Sequence, residues 1–176
     1  MAISSSEIIN TAGIRVNKDA CVVIVRTDWN AHVVDLLEEG CVKLLKEKGI
    51  CIKIINVPGA VEITFAIKSY WENHQYKADK PQAFIALGCI IKGDTPHFEY
   101  VCNAVTNGVT QLNLLLPVPT IFGVLTVNDQ VQADERTGGR HGHKGEEAAA
   151  TALKIDRKST RLNSSHPRLS RMPSSA

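Results

Sequence analysis

Between Ala20 and Ile155 the chain alternates short apolar runs with longer segments whose apolar residues recur every three or four positions. The first run, Ala20-Cys-Val-Val-Ile-Val25, is β-branched and apolar on both faces, the pattern of a strand buried in a parallel sheet. Asn30 to Lys48 carries Val33, Val34, Leu37, Cys41, Leu44 and Leu45 at helical spacing, with Asn30 placed to cap the helix and Gly49 to stop it. Ile50 to Val57 predicts a second strand ending at Pro58-Gly59, and Ala60 to about Gln75 a second helix. After a polar turn, Ala83-Phe-Ile-Ala-Leu87 predicts the third strand. A helix then starts at Pro96, a residue suited to the first helical position, and carries Val101, Val105, Val109 and Leu112. The fourth apolar run is Thr120 to Leu125, and helical segments at Asp129 to Arg136 and Glu146 to Ile155 flank a glycine-rich loop. This alternation predicts an α/β fold: a four-stranded parallel sheet with helices on both faces. Residues 1–17 fall outside it and are expected to form an extra strand or an arm on a neighbouring copy.

Composition narrows the class. The 176 residues are 44% hydrophobic and 22% charged, which suits one soluble globular domain. No apolar stretch approaches the roughly 18 residues of a spanning helix, and the start, Met-Ala-Ile-Ser-Ser-Ser-Glu, lacks the features of a secretory signal. Five scattered cysteines read as reduced thiols, so the expected location is cytoplasmic, with no membrane partner. The net charge of +2 is deceptive: Asp156 to Ala176 holds five basic residues and one acid, so the chain before it is slightly acidic. Whole-chain charge therefore gives no basis for a nucleic-acid surface. That tail is serine-rich and aperiodic, and is expected to be disordered outside a domain spanning 18–155. It resembles translated sequencing-adapter DNA, which makes an artefactual extension one reading and a functional basic arm the other.

In an open parallel sheet, ligands bind beyond the carboxyl ends of the strands, so chemistry is sought at the four junctions there. At the first, Trp29 either stacks on a flat heteroaromatic ligand or packs beneath a loop. At the second, Pro58-Gly59-Ala60 is a small-residue turn that lets a ligand approach the backbone, and read alone it is only a turn. Gly93-Asp94-Thr95-Pro96-His97 is the most informative: Asp94 or Thr95 can cap the following helix, whose free N–H groups favour an anion. His97, in the first turn, offers an imidazole for proton transfer, or is a surface histidine beside an ordinary cap. Arg136 to Gly145 packs three cations, two histidines and four glycines into ten residues. That mixture suits phosphate, and equally a flexible solvated loop. His141 and His143 have metal-ligand spacing but no nearby Cys or carboxylate completing a set, so no metal is expected.

Taken in order, Arg-Thr-Asp-Trp-Asn, Val-Pro-Gly-Ala-Val-Glu, Gly-Cys-Ile-Ile-Lys-Gly-Asp-Thr-Pro-His-Phe, Phe-Gly-Val-Leu-Thr and Glu-Arg-Thr-Gly-Gly-Arg-His-Gly-His-Lys-Gly resemble the 6,7-dimethyl-8-ribityllumazine synthase family over roughly Cys21 to Ile155. The resemblance implies a flavodoxin-like three-layer α/β/α sandwich. It implies condensation of 5-amino-6-(D-ribitylamino)uracil with 3,4-dihydroxy-2-butanone 4-phosphate, with release of phosphate and water and without metal or organic cofactor. By motif, Trp29 would stack on the pyrimidine, and Gly59, Ala60, Val61 and Glu62 would hold the ring and ribityl chain. Cys89, Ile90 and Ile91 would line the floor, Asp94 and Thr95 would offer backbone donors to the phosphate, and His97 would transfer protons. Phe122, Arg136 and Lys144 would complete the cavity from an adjacent subunit, in a homopentamer or an icosahedral capsid of twelve pentamers. Thr64 and His143 depart from the family's common proline and asparagine. A non-catalytic flavin- or lumazine-binding shell protein is the alternative; it would need the stacking shelf but neither His97 nor Arg136. A flavodoxin-like electron carrier is disfavoured, since no loop is rich enough in Ser and Thr to cradle a flavin phosphate.

Overall fold

The computed structural model describes residues 9–14 and 20–164, with side chains through Ile155. Four strands, β1 (Cys21–Thr27), β2 (Cys51–Val57), β3 (Ala83–Ile91) and β4 (Thr120–Val127), form one parallel sheet in the order β2-β1-β3-β4. The helices are α1 (Ala31–Glu47), α2 (Glu62–His74), α3 (His97–Leu115), the short α4 (Gln130–Asp134) and α5 (Lys144–Ser164). Among the described residues no helix is long and apolar enough to cross a membrane.

Strand alternation divides the core in two. Val22 and Ile24 of β1, Ile85 and Leu87 of β3, and Ile121 and Leu125 of β4 face α1 and α5. Val23, Val25, Phe84, Ala86 and Val124 face Ile63, Ile67 and Trp71 of α2 and Val105, Val109 and Leu112 of α3. The result is the expected α/β/α sandwich. Central β3 is buried on both faces from Ala83 to Cys89, whereas edge strand β2 leaves Cys51 and Ile54 exposed.

Helix ends show where local signals held and where they were overruled. Gly49 adopts φ 71°, and Ile50 N–H reaches back to Leu45 O at 3.2 Å, the glycine stop expected after α1. Asn30 holds the N-cap place but in a left-handed conformation (φ 57°, ψ 41°), with no side-chain capping bond. Its amide crosses instead to the Cys89 carbonyl at 2.8 Å, a long-range bond that helix signals do not encode. The helix expected from Pro96 begins at His97: Pro96 is itself the N-cap, in place of Asp94 or Thr95, and its ring-fixed φ of −60° already starts the helical turn.

The glycine-rich loop is partly ordered into a hairpin, β5 (Thr137–Gly139) against β6 (Gly142–His143), with positive φ at Gly138 and Gly142. Its last turn leads straight into α5, whose backbone runs past the expected end at Ile155 to Ser164. The remainder of the tail, residues 165–176, lies outside the described residues, as do 1–8 and 15–17 of the expected arm. Its described part lies against the domain: Lys48 Nζ donates to Thr11 O at 3.2 Å and Ile14 packs on the α1/α5 core.

Candidate active site

The strand order reverses direction between β1 and β3, and a cleft of about 590 Å³ opens there, beyond the carboxyl ends of β1, β2 and β3. The loop after β1 supplies Thr27, Trp29 and Asn30. It is tied to β2 by Asp28 N–H to Val57 O (2.9 Å) and Trp29 N–H to Pro58 O (3.2 Å), and to β3 by the Asn30–Cys89 bond. With the backbone anchored on both sides, the Trp29 indole stands 72% exposed, so the reading that packs it beneath a loop does not hold.

After β2 come Gly59, Ala60, Val61 and Glu62. A Cβ on Gly59 would lie 2.9 Å from Glu62 Oε2 and 3.8 Å from Trp29 Cδ1, so the glycine keeps open the space between indole and carboxylate. Cys89, Ile90 and Ile91 form the β3 wall. Burial, with a lesser push from Asp134, raises the Cys89 thiol to about 11, which makes it an uncharged wall rather than a nucleophile. Gly93, Thr95 and the first turn of α3 close the cleft, with His97, Phe98 and Val101 lining it.

Asp94 is not part of that lining, and neither are Phe122, Arg136 and Lys144. Phe122 is half-buried on β4, packed on the α2/α3 side of the core. Arg136 and Lys144 share another cleft, of about 460 Å³, beside the end of β4. There Arg136 grips Glu147 with both nitrogens, Nη1 to Oε1 at 2.9 Å and Nη2 to Oε2 at 2.7 Å, and Nη1 also donates to the His141 carbonyl. Lys144 Nζ lies 4.0 Å from the same Glu147, and the Lys144 backbone N–H donates to Arg136 O at 2.8 Å. Burial, reinforced by Arg136 and opposed by Glu147, pulls the Lys144 pKa below its ordinary value. Arg136 and Lys144 are thus both held on one buried carboxylate, with Glu135 also lining the cleft.

The two loop histidines face different partners. His141 Nε2 lies 3.3 Å from Glu135 Oε2, while the His143 ring rests on Gly40 of α1 and its Nδ1 accepts from Glu146 N–H at 3.4 Å. The pair therefore does not converge on one ion.

Thr27, Asn30, Gly93, Phe98 and Val101 are cleft residues that motif reasoning missed. Val101 had a signal: it lies four positions after His97, on the same helical face. Thr27 had none, because whether a strand's last residue faces core or cleft depends on the neighbouring strands.

The profile of the 6,7-dimethyl-8-ribityllumazine synthase family matches residues 19–159. A protein of that name from Porphyromonas gingivalis is 45% identical over 141 residues, 78% of this chain and 84% of the relative. One from Bacteroides fragilis is 45% identical over 135 residues, 75% of this chain and 91% of the relative, and one from Parabacteroides distasonis is 44% identical over 135 residues, covering 75% and 81%. By profile match and by identity over most of its length, the chain belongs to the 6,7-dimethyl-8-ribityllumazine synthase family.

Proposed function

We propose that this chain condenses 5-amino-6-(D-ribitylamino)uracil with 3,4-dihydroxy-2-butanone 4-phosphate to 6,7-dimethyl-8-ribityllumazine in riboflavin biosynthesis, releasing phosphate and water. One observation carries the reading: an exposed indole, a small-residue wall and a helix-terminal histidine meet in a single cleft. Trp29 stacks on the pyrimidine while Gly59, Ala60, Val61 and Glu62 hold the ring edge and ribityl chain. The apolar wall of Cys89, Ile90 and Ile91 excludes water from one face of the ring. Thr95, Asp94 and the start of α3 present backbone donors to the phosphate.

The substrate amine attacks the ketone and water leaves to give an imine, so no Schiff-base lysine is required. His97 takes the proton whose removal drives phosphate out, and returns protons in the ring-closing steps. Arg136 and Lys144 grip the departing phosphate from an adjacent subunit, with Phe122 completing the cavity. The active form is then a homo-oligomer, a pentamer or a sixty-subunit shell, with residues 18–155 as the working domain in the cytoplasm. Removing 156–176 should leave activity nearly unchanged.

The experiment is direct. Purified protein mixed with both substrates should produce the absorbance of the lumazine, and failure to do so with both substrates bound would overturn the reading. Oligomers co-assembled from His97→Ala and Arg136→Ala chains test the shared site. Some interfaces then pair a native His97 with a native Arg136, so activity should exceed the sum of the separate preparations. Verified mixed oligomers without that recovery would put both residues in one subunit.

A further inference from the structure

We propose that Cys21 and Cys51 are a dithiol that closes reversibly into a disulfide under a low-molecular-weight disulfide oxidant, a covalent modification site at the end of the sheet opposite the cleft. The two cysteines are register partners at the first positions of β1 and β2. Partners on adjacent parallel strands project to the same face, and a strand spacing of about 4.8 Å lies within the roughly 4.4–6.8 Å between Cα atoms that a disulfide spans. The register sets the two side chains beside each other at the first positions of neighbouring strands, near enough for Cys51 to raise the Cys21 thiol.

Their surroundings divide the labour. Cys51 is exposed and Cys21 is buried, so an oxidant arrives at Cys51 and Cys21 is the sheltered partner that closes the bridge. Burial first, and then the contact with Cys51, push the Cys21 thiol up to about 12, while Lys53 on the same face pulls the other way. Cys21 is thus a poor first nucleophile and is recruited only once Cys51 carries a leaving group.

With oxidised glutathione the sequence is balanced. The Cys51 sulfur attacks one glutathione sulfur, giving a mixed disulfide and one glutathione thiolate, which takes up the Cys51 proton. The Cys21 sulfur then attacks the Cys51 sulfur, the protein S–S bond forms, and a second glutathione leaves with the Cys21 proton. Two electrons pass from the protein dithiol to the glutathione disulfide, which becomes two thiols. A bridge between in-register neighbours has Cβ atoms near the strand spacing, wider than the usual 3.5–4.5 Å or so, and strained bridges of this kind are readily reduced.

The test uses the full chain, poised in buffers of stated oxidised-to-reduced glutathione ratio, quenched with acid, alkylated and mapped by mass spectrometry. The expected product is one peptide pair joining Cys21 to Cys51 within a single chain, reversed by dithiothreitol, with a melting temperature several degrees higher. Cys21→Ser should stop at a glutathione adduct on Cys51, and Cys51→Ser should give neither adduct nor bridge. A native chain that accumulates the Cys51 adduct without closing, links Cys51 to Cys102, or joins two chains would overturn the proposal. None of these outcomes depends on the reaction proposed for the cleft.

Discussion

In the cleft the walls are mostly apolar side chains and small residues, and Trp29 projects into open space; around Arg136 the charged groups are already engaged with one another. The contrast fits what each region is proposed to hold. A flat ring is recognised by a gap of the right shape, so strand ends and Gly59 keep that gap clear. A phosphate is recognised by charge at a fixed place, and a long side chain free in solvent would lose rotamer freedom on binding. Clamping Arg136 on buried Glu147 makes that entropic loss part of folding, at the cost of three of its five N–H donors, two on Glu147 and one on the His141 carbonyl.

The largest expected effect tests whether His97 belongs to the chemistry rather than to the wall. His97→Ala should lower turnover by about 10²–10⁴-fold, with pyrimidine binding nearly intact. Stopped-flow lumazine formation alongside a binding titration separates the two, and an equal loss in both would make His97 a wall residue. Next comes the clamp. Arg136→Ala should weaken use of the butanone phosphate by about 1.5–3 kcal/mol while leaving pyrimidine affinity unchanged. Arg136→Lys should recover only part of it, because an ammonium cannot reproduce the two-pronged grip on Glu147. KM values for each substrate decide this; a loss shared equally between the substrates would merge the two regions into one.

Trp29→Ala should weaken pyrimidine binding by roughly 1–3 kcal/mol, and Trp29→Phe by much less, since a ring still stacks. Equal losses, read by fluorescence or calorimetric titration, would point to the indole N–H. The smallest effect concerns Lys144. Because burial lowers its pKa below 10.5, the unfolded chain binds more protons between the lowered value and 10.5, and stability rises with pH across that window. Below the window the penalty is fully present. Lys144→Met should therefore raise the denaturant midpoint slightly at neutral pH, with the gain shrinking as pH approaches 10.5, while phosphate affinity falls. A destabilised Lys144→Met chain at neutral pH would mean that the contact with Glu147 outweighs burial.

The sandwich was legible because its signals are periodic and local: β1 and β3 read as continuous apolar runs, and Val33 to Leu45 as one helical stripe. Most of the cleft was legible too, since Trp29, Gly59 to Glu62, Cys89 to Ile91, Thr95 and His97 sit at or just past strand ends, where the topology directs them to one cleft. Asn30 shows what was not legible. Its residue type suits a cap, but its amide serves Cys89, 59 positions away along the chain. Likewise the glycine-rich segment reads as a mobile loop until the Arg136–Glu147 pair is seen to pin it, and only the fold reveals that pairing. Asp94 and Thr95 were overruled by their neighbour, because Pro96 sets the turn through its ring.

The face of the sheet carrying Ile24, Ile85, Leu87, Ile121 and Leu125 is roofed by α1 and α5, which lie at opposite ends of the α/β alternation among the described residues. During synthesis the four strands and every residue of the cleft emerge before Lys144 does. The nascent chain can therefore assemble the walls of its site while half of one apolar face still awaits its cover. A message interrupted ahead of Lys144 would yield a protein with a full set of strands and a sticky, unroofed sheet, prone to aggregate and open to proteases. For this architecture, finishing the sheet and finishing the fold are separate events in time, and the final helix decides between a durable molecule and waste.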